Sequence, residues 1–232
     1  YYLQGVAYHC AGDLGAARRC LERSVAINDA NPEALMYLGD ILIGADALDD
    51  AAGCFARVVE LVPGETTPLN NLCHVLQRQE RFEKLVEVIE KVAEFHTGSP
   101  DIQSIYGYAL NKNERNSEAI EAYKSAIALK PDMADAYIGL GQALVNVQNF
   151  REAVPILQRG IQLAPDNSQA LFNLGESYAA LQDFGNAIMY YQQSLAANPT
   201  QSSAYLGLGN CLVQTGNWEE AETAFKSYLD RE

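Results

Sequence analysis

Residues 168–201 read SQALFNLGESYAALQDFGNAIMYYQQSLAANPTQ. Leu171, Leu174, Gly175 and Tyr178 recur at helical spacing and form one apolar stripe, and Ala187, Tyr191 and Leu195 form a second. The turn between the two stripes carries Gln182, Asp183, Phe184 and Gly185, and Pro199 stops the second helix. Gly175 and Ala187 are small because the two helices of a hairpin must approach closely there. One such hairpin cannot bury its own stripes, so neighbouring copies have to cover them.

Those copies are present. Gly5, Gly39, Gly107, Gly141, Gly175 and Gly209 share one register at a spacing of 34, with Cys73 filling the single gap. Twelve residues on, the column reads Ala17, Ala51, Leu85, Ala119, Ala153, Ala187 and Ala221. Twelve further on it reads Asp29, Pro63, Thr97, Pro131, Pro165 and Pro199. No insertion or deletion disturbs the phase across the 232 residues.

The stripe around Gly175 has counterparts at Tyr137, Leu140, Gly141, Leu144, Ala153, Leu157 and Pro165, and at Tyr205, Leu208, Gly209, Leu212, Ala221 and Phe225. This pattern resembles the tetratricopeptide repeat, over the whole chain and in seven copies. The resemblance implies an all-α fold, a right-handed superhelix (an α-solenoid) of fourteen helices in helix-turn-helix hairpins. First helices would line an inner groove and second helices the outer face. The expected organisation is a single array over 1–232, with repeats at about 1–31, 32–65, 66–99, 100–133, 134–167, 168–201 and 202–232. Tyr1 and Glu232 both fall inside helical pattern. The expectation is therefore a fragment of a longer chain, or one that associates through its ends.

The third repeat departs from the pattern. Cys73, Leu85 and Thr97 replace the small, small and proline residues of the other copies. Larger side chains at a close helix approach cost about 1–3 kcal/mol unless the backbone moves, so this hairpin is expected to splay. Pro155 lies early in the second helix of the fifth repeat, where a mild distortion is expected.

Composition narrows the function. The net charge is −14, from 30 acids against 16 bases, which opposes general nucleic-acid binding and charge-driven docking on anionic lipid. Residues 32–65 hold seven acids against Arg57 alone. No run of about 18 apolar residues exists, so no membrane-inserting helix is expected. Five cysteines are an odd count and too few for a disulfide framework, which favours a reducing, cytoplasmic setting.

Signals for chemistry are sparse. His9, His74 and His96 form no HExxH or closely spaced Cys/His set, there is no CxxC, and no phosphate-binding glycine loop occurs. No metal, cofactor or catalytic residue is expected. Asp40, His74 and Tyr108 share a column on successive first helices, but no nucleophile stands beside them and such grooves are open to water.

What remains is a surface for a partner. At about 100° per residue, Phe172, Glu176 and Ala179 point away from the stripe of Leu171, Leu174, Gly175 and Tyr178. Carried through repeats five to seven, this gives an apolar row of Ile138, Phe172 and Leu206, another of Val145, Ala179 and Val213, and between them Gln142, Glu176 and Asn210. Exposed apolar rows on a repeat surface mark an interaction site. In repeats three and four the same face carries Asn70, His74, Arg78, Tyr108, Asn111 and Lys112, a polar and locally basic stretch. Amides there suit a peptide backbone, and Arg78 with Lys112 suit a carboxylate.

Two subfamilies are set against this pattern. In the column where chaperone-clamp repeats place lysine, this chain has Tyr2, Met36, Asn70, Ser104, Ile138, Phe172 and Leu206. The asparagine ladder of protein O-linked N-acetylglucosamine transferases is matched only by Asn71 and Asn173. The expected function is a non-enzymatic scaffold that binds a peptide or protein segment in the groove. The alternatives are a targeting arm of a larger enzyme such as a protein O-glycosyltransferase, and a self-assembling scaffold or coat.

Overall fold

The structure is a computed structural model that describes residues 1–231. Among the described residues there are fourteen α-helices, one short 3₁₀ turn and no strand. The chain divides into two compact units, Tyr1–Gly98 and Ser99–Glu232.

The first unit holds three hairpins: α1 (Tyr2–Cys10) with α2 (Leu14–Ile27), α3 (Pro32–Gly44) with α4 (Leu48–Leu61), and α5 (Thr66–Arg78) with α6 (Phe82–Val92). The second holds four: α7 (Pro100–Lys112) with α8 (Asn116–Leu129), α9 (Ala134–Asn146) with α10 (Phe150–Leu163), α11 (Ser168–Ala180) with α12 (Phe184–Ala197), and α13 (Ser202–Gln214) with α14 (Trp218–Leu229). Within each unit a first helix packs on its own second helix and on the second helix before it. In the second unit neighbouring first helices also touch, α7 to α9, α9 to α11 and α11 to α13. This is the stacking of an α-solenoid, and the all-α repeat fold expected from the sequence is the fold observed.

Each hairpin turns in the same way. The fourth-from-last peptide groups of a first helix are closed by a Schellman motif: Asp183 N–H donates to the Tyr178 carbonyl at 2.9 Å and Gln182 N–H to Ala179 at 3.0 Å. The motif needs one left-handed residue, and Gln182 has φ 63°. The equivalent column is Gly12, Asp46, Glu80, Glu114, Gln148 and Gly216, every one at positive φ. Two second helices are started by a side-chain cap, where Asp183 accepts from Asn186 N–H at 3.2 Å and Asp13 from Ala16 N–H at 2.9 Å.

The glycine column is there for an aromatic or branched side chain of the second helix. A Cβ on Gly175 would stand 2.9 Å from the Tyr191 ring, and one on Gly209 would stand 2.6 Å from Phe225. Tyr123 and Tyr191 are longer than the leucine, isoleucine and phenylalanine found in that column elsewhere, and they reach into the next repeat. There they meet Gly139 and Gly207, where an added Cβ would overlap the Tyr123 and Tyr191 rings. The repeats that follow Leu21, Phe55, Ile89 and Leu157 carry Tyr37, Asn71, Ile105 and Asn173 in this register instead. Tyrosine in one repeat and glycine in the next thus go together.

The third hairpin is the exception. Its helices α5 and α6 approach each other along far less of their length than those of any other hairpin. Cys73, Leu85 and Ile89 are nevertheless buried, so side chains fill the wider gap. Second helix α6 ends early in a 3₁₀ turn at Ala93–Phe95, and buried His96 donates from Nε2 to the Pro63 carbonyl at 2.8 Å. The first unit closes immediately afterwards, at Gly98. Pro155, by contrast, leaves α10 unbroken; Pro155 and Arg151, whose carbonyl it cannot serve, are both exposed.

Candidate functional site

In the second unit, one face of the first helices is left uncovered by second helices, and a chain of amides runs along it. Asn146, at the end of α9, donates to Asn111 Oδ1 of α7 at 3.3 Å and to Asn116 Oδ1 at 3.1 Å. Gln142 donates to Asn146 at 2.8 Å. Asn173 of α11 donates to Gln142 Oε1 at 2.6 Å, and Gln169 donates to Asn173 Oδ1 at 2.9 Å. Asn173 is wholly buried and Gln142 half-buried. The network ties α7, α9 and α11 into one surface and fixes the direction of each amide.

The flanking rows are less open than the helical wheel implies. Phe172 is half-buried, with its ring centroid 5.8 Å from that of Tyr191 on its own hairpin's second helix. The wheel turns it away from the hairpin. The ring returns to it because it is long enough to fold back over Tyr191. Ile138 is likewise half-buried, beside Gly160 of α10. Leu206 remains 38% exposed. In the other row, Val145, Ala179 and Val213 are all half-buried, the last two against the core around Tyr191 and Leu212. Asn210 is exposed.

Glu176 sits between these rows, near the middle of α11. It has no hydrogen-bond or ion-pair partner among the described residues, and partial burial pushes its carboxyl above the ordinary value.

The polar stretch expected in repeats three and four divides between the units. On α5, Asn70 is half-buried with its Oδ1 enclosed and unbonded, and His74 is exposed. Arg78 is committed within the unit, donating to Asp46 at 2.9 Å. Arg81 joins Asp49 at 3.2 Å, as does the Gln79 amide at 3.0 Å. Two acids of the second repeat, Asp46 and Asp49, thus form exposed pairs with the third, contacts that charge counting does not reveal. On α7, the Lys112 ammonium lies 5.6 Å from the centre of the exposed Tyr108 ring, and Asn111 is part of the amide chain.

Asp40 accepts from Asn71 Nδ2 at 3.4 Å, and burial raises its carboxyl against the opposing pull of His9. This bond occupies the same register as the Asn173–Gln142 bond, three repeats earlier in the chain, so the two asparagines of the partial ladder do the same structural work. A cleft of about 500 Å³ on the second-helix side is lined by Arg18, Glu22, Leu35, Asp49, Asp50 and Cys54. Burial, then Asp50 and Glu22, push the Cys54 thiol up to about 11, so it is not an activated nucleophile. Among the described residues no group of three His, Cys, Asp or Glu is placed to hold a metal ion. No helix among them is long and apolar enough to cross a membrane.

Comparison with known proteins agrees with this architecture. Family models of the tetratricopeptide repeat match residues 2–66 and 138–202, and another matches 178–232. A TPR repeat model matches 107–148. The chain belongs to the tetratricopeptide repeat family. No curated protein matches it. Among solved structures it is similar to MamA, at 24% identity and a TM-score of 0.62 over 69% of this chain and 94% of that one. It is similar to YrrB, described as a TPR protein with an unusual peptide-binding site, at 18% identity and a TM-score of 0.65 over 79% of this chain and 95% of that one. It is also similar to a chain of the APC/C hetero-tetramer Cut9-Hcn1, at 15% identity and a TM-score of 0.70, over all of this chain and 46% of that one.

Proposed function

We propose that the chain is a non-enzymatic interaction scaffold that holds a peptide or protein segment on the first-helix face of its second unit, in a reducing, cytoplasmic setting. The observation that carries this reading is the amide chain from Asn111 to Gln169, with exposed Leu206 and Asn210 beside it. The exposed amides of this chain, Asn146 and Gln169, offer a peptide backbone donors and acceptors, and the apolar side chains offer anchors. The likeness of fold to YrrB supports it, since that protein is described as having a peptide-binding site.

The test is a capture and sequencing of peptides on the whole chain, repeated with Leu206→Asp. Leu206 is exposed, so this variant keeps its fold, which circular dichroism checks. Peptides that bind the parent chain should lose roughly ten-fold or more in affinity, because a charge replaces an apolar anchor. Unchanged affinity for every captured peptide removes this face as the site.

A further inference from the structure

Of the helices that form this face, α7 carries Asp101 and Lys112, whereas α9, α11 and α13 are almost without charge. Over α9, α11 and α13 the charged residues are Asp135 and Glu176, with no lysine, arginine or histidine. Asp135 is exposed in the first turn of α9, where the positive end of the helix dipole favours it. Glu176 has no such explanation. It lies mid-helix, half-buried, one turn from Phe172 and from Ala179, in the row between Gln142 and Asn210. Its neighbours along the helix, Phe172 and Ala179, are apolar.

A carboxylate drawn partly out of water without a cation is a standing cost to the fold. A ligand that brings a cation removes that cost, and one that brings an anion adds to it. Lys112 stands on α7, two repeats from Glu176, and α9, α11 and α13 themselves give an acidic ligand no lysine or arginine to meet. The net charge of −14 acts in the same direction at longer range.

From this charge complementarity we infer that the face takes an apolar peptide segment carrying a lysine or arginine, whose cation pairs with Glu176. The inference rests on the proposed function above and specifies its partner. Apolar residues of the segment lie along Leu206 and its row, the backbone meets the amides, and the single cation fixes the register. Bound this way, the segment excludes water from Glu176 and strengthens the pair.

The test uses the whole chain and peptide pools blocked at both ends. The central residue is lysine, Nε-acetyllysine or glutamate, and the flanks are drawn from leucine, valine, phenylalanine, serine and asparagine. Acetylation keeps the lysine stem and removes the charge. Fluorescence anisotropy should show the lysine pool binding about ten-fold more tightly than the acetyllysine pool, with the glutamate pool weakest. In Glu176→Gln the lysine and acetyllysine pools should bind alike. Equal binding of these two pools to the parent chain, lost in Leu206→Asp, overturns the cation pairing and leaves the groove standing. A lysine preference that persists in Glu176→Gln also overturns it. If no pool binds, and the chain instead dimerises through this face in a way that Leu206→Asp abolishes, both readings fall.

Discussion

Asn173 has no exposed surface, and its Nδ2 donates to Gln142 Oε1 at 2.6 Å, joining α11 to α9. Its Oδ1 accepts from Gln169, so both ends of the buried amide are used. An amide in this position is expensive to leave unpaired, and its partners hold neighbouring repeats in register. Asn173→Ala should destabilise the chain by about 1–3 kcal/mol, and Gln142→Ala by less, since Gln142 keeps access to water. Denaturant unfolding of both single variants and the double measures the coupling. A coupling near zero would mean that the bond does not hold the repeats together.

Gly139 is placed by Tyr123 of the preceding repeat. Gly139→Ala should cost about 1–3 kcal/mol through overpacking. Adding Tyr123→Leu, the kind of side chain that precedes Asn173, should recover part of that loss. Thermal unfolding tests this; additive losses in the double variant would show that ring and glycine are not matched.

Gln148 carries φ 60° at the turn between α9 and α10. A left-handed backbone disfavours a side chain, whereas Gly12 and Gly216 adopt it in the same column. Gln148→Gly should therefore stabilise the protein by about 0.5–1 kcal/mol, after the larger entropy of the unfolded glycine is set against the relief of strain. A lower melting temperature for the variant would contradict this.

Glu176 titrates above its ordinary value in the folded chain because burial disfavours the charged form. Folding therefore takes up a proton between the unfolded and folded pKa values, and stability falls as pH rises through that window. At neutral pH the ionised group opposes folding. Glu176→Gln should raise the melting temperature at pH 7, and the gain should vanish on acidification below about 4, where both states are protonated. A gain that is the same at every pH would assign the effect to something other than this charge.

The hairpins, their phase and their number were legible because glycine, alanine and proline columns encode close approach and termination directly. The splaying of α5 from α6 was legible too, from Cys73 and Leu85 alone. The Schellman turns were not, since five of the seven left-handed positions are Asp, Glu or Gln, and nothing in those residues announces positive φ. The face itself was read only in part. Helical angles place Gln142, Glu176 and Asn210 in one row, but they carry no side-chain length, so they do not show Phe172 folding back onto Tyr191. Nor do they show that Arg78 is held by Asp46, because that pair lies 32 residues apart and depends on how repeats stack.

The Tyr123–Gly139 and Tyr191–Gly207 matches have a consequence for how such a chain is shortened or grown. The tyrosine and the glycine that accommodates it lie on opposite sides of a hairpin boundary, so the portable module straddles that boundary. Excising residues 134–167, a whole hairpin, would bring Tyr123 into register with Asn173 and leave the ring no glycine to enter. Excising 123–156, a block of the same length, would remove Tyr123 together with Gly139 and retain Leu157 ahead of Asn173. Two deletions identical in size and repeat count should therefore give one chain that folds and one that does not fold well, and the permitted breakpoints run through the middle of second helices.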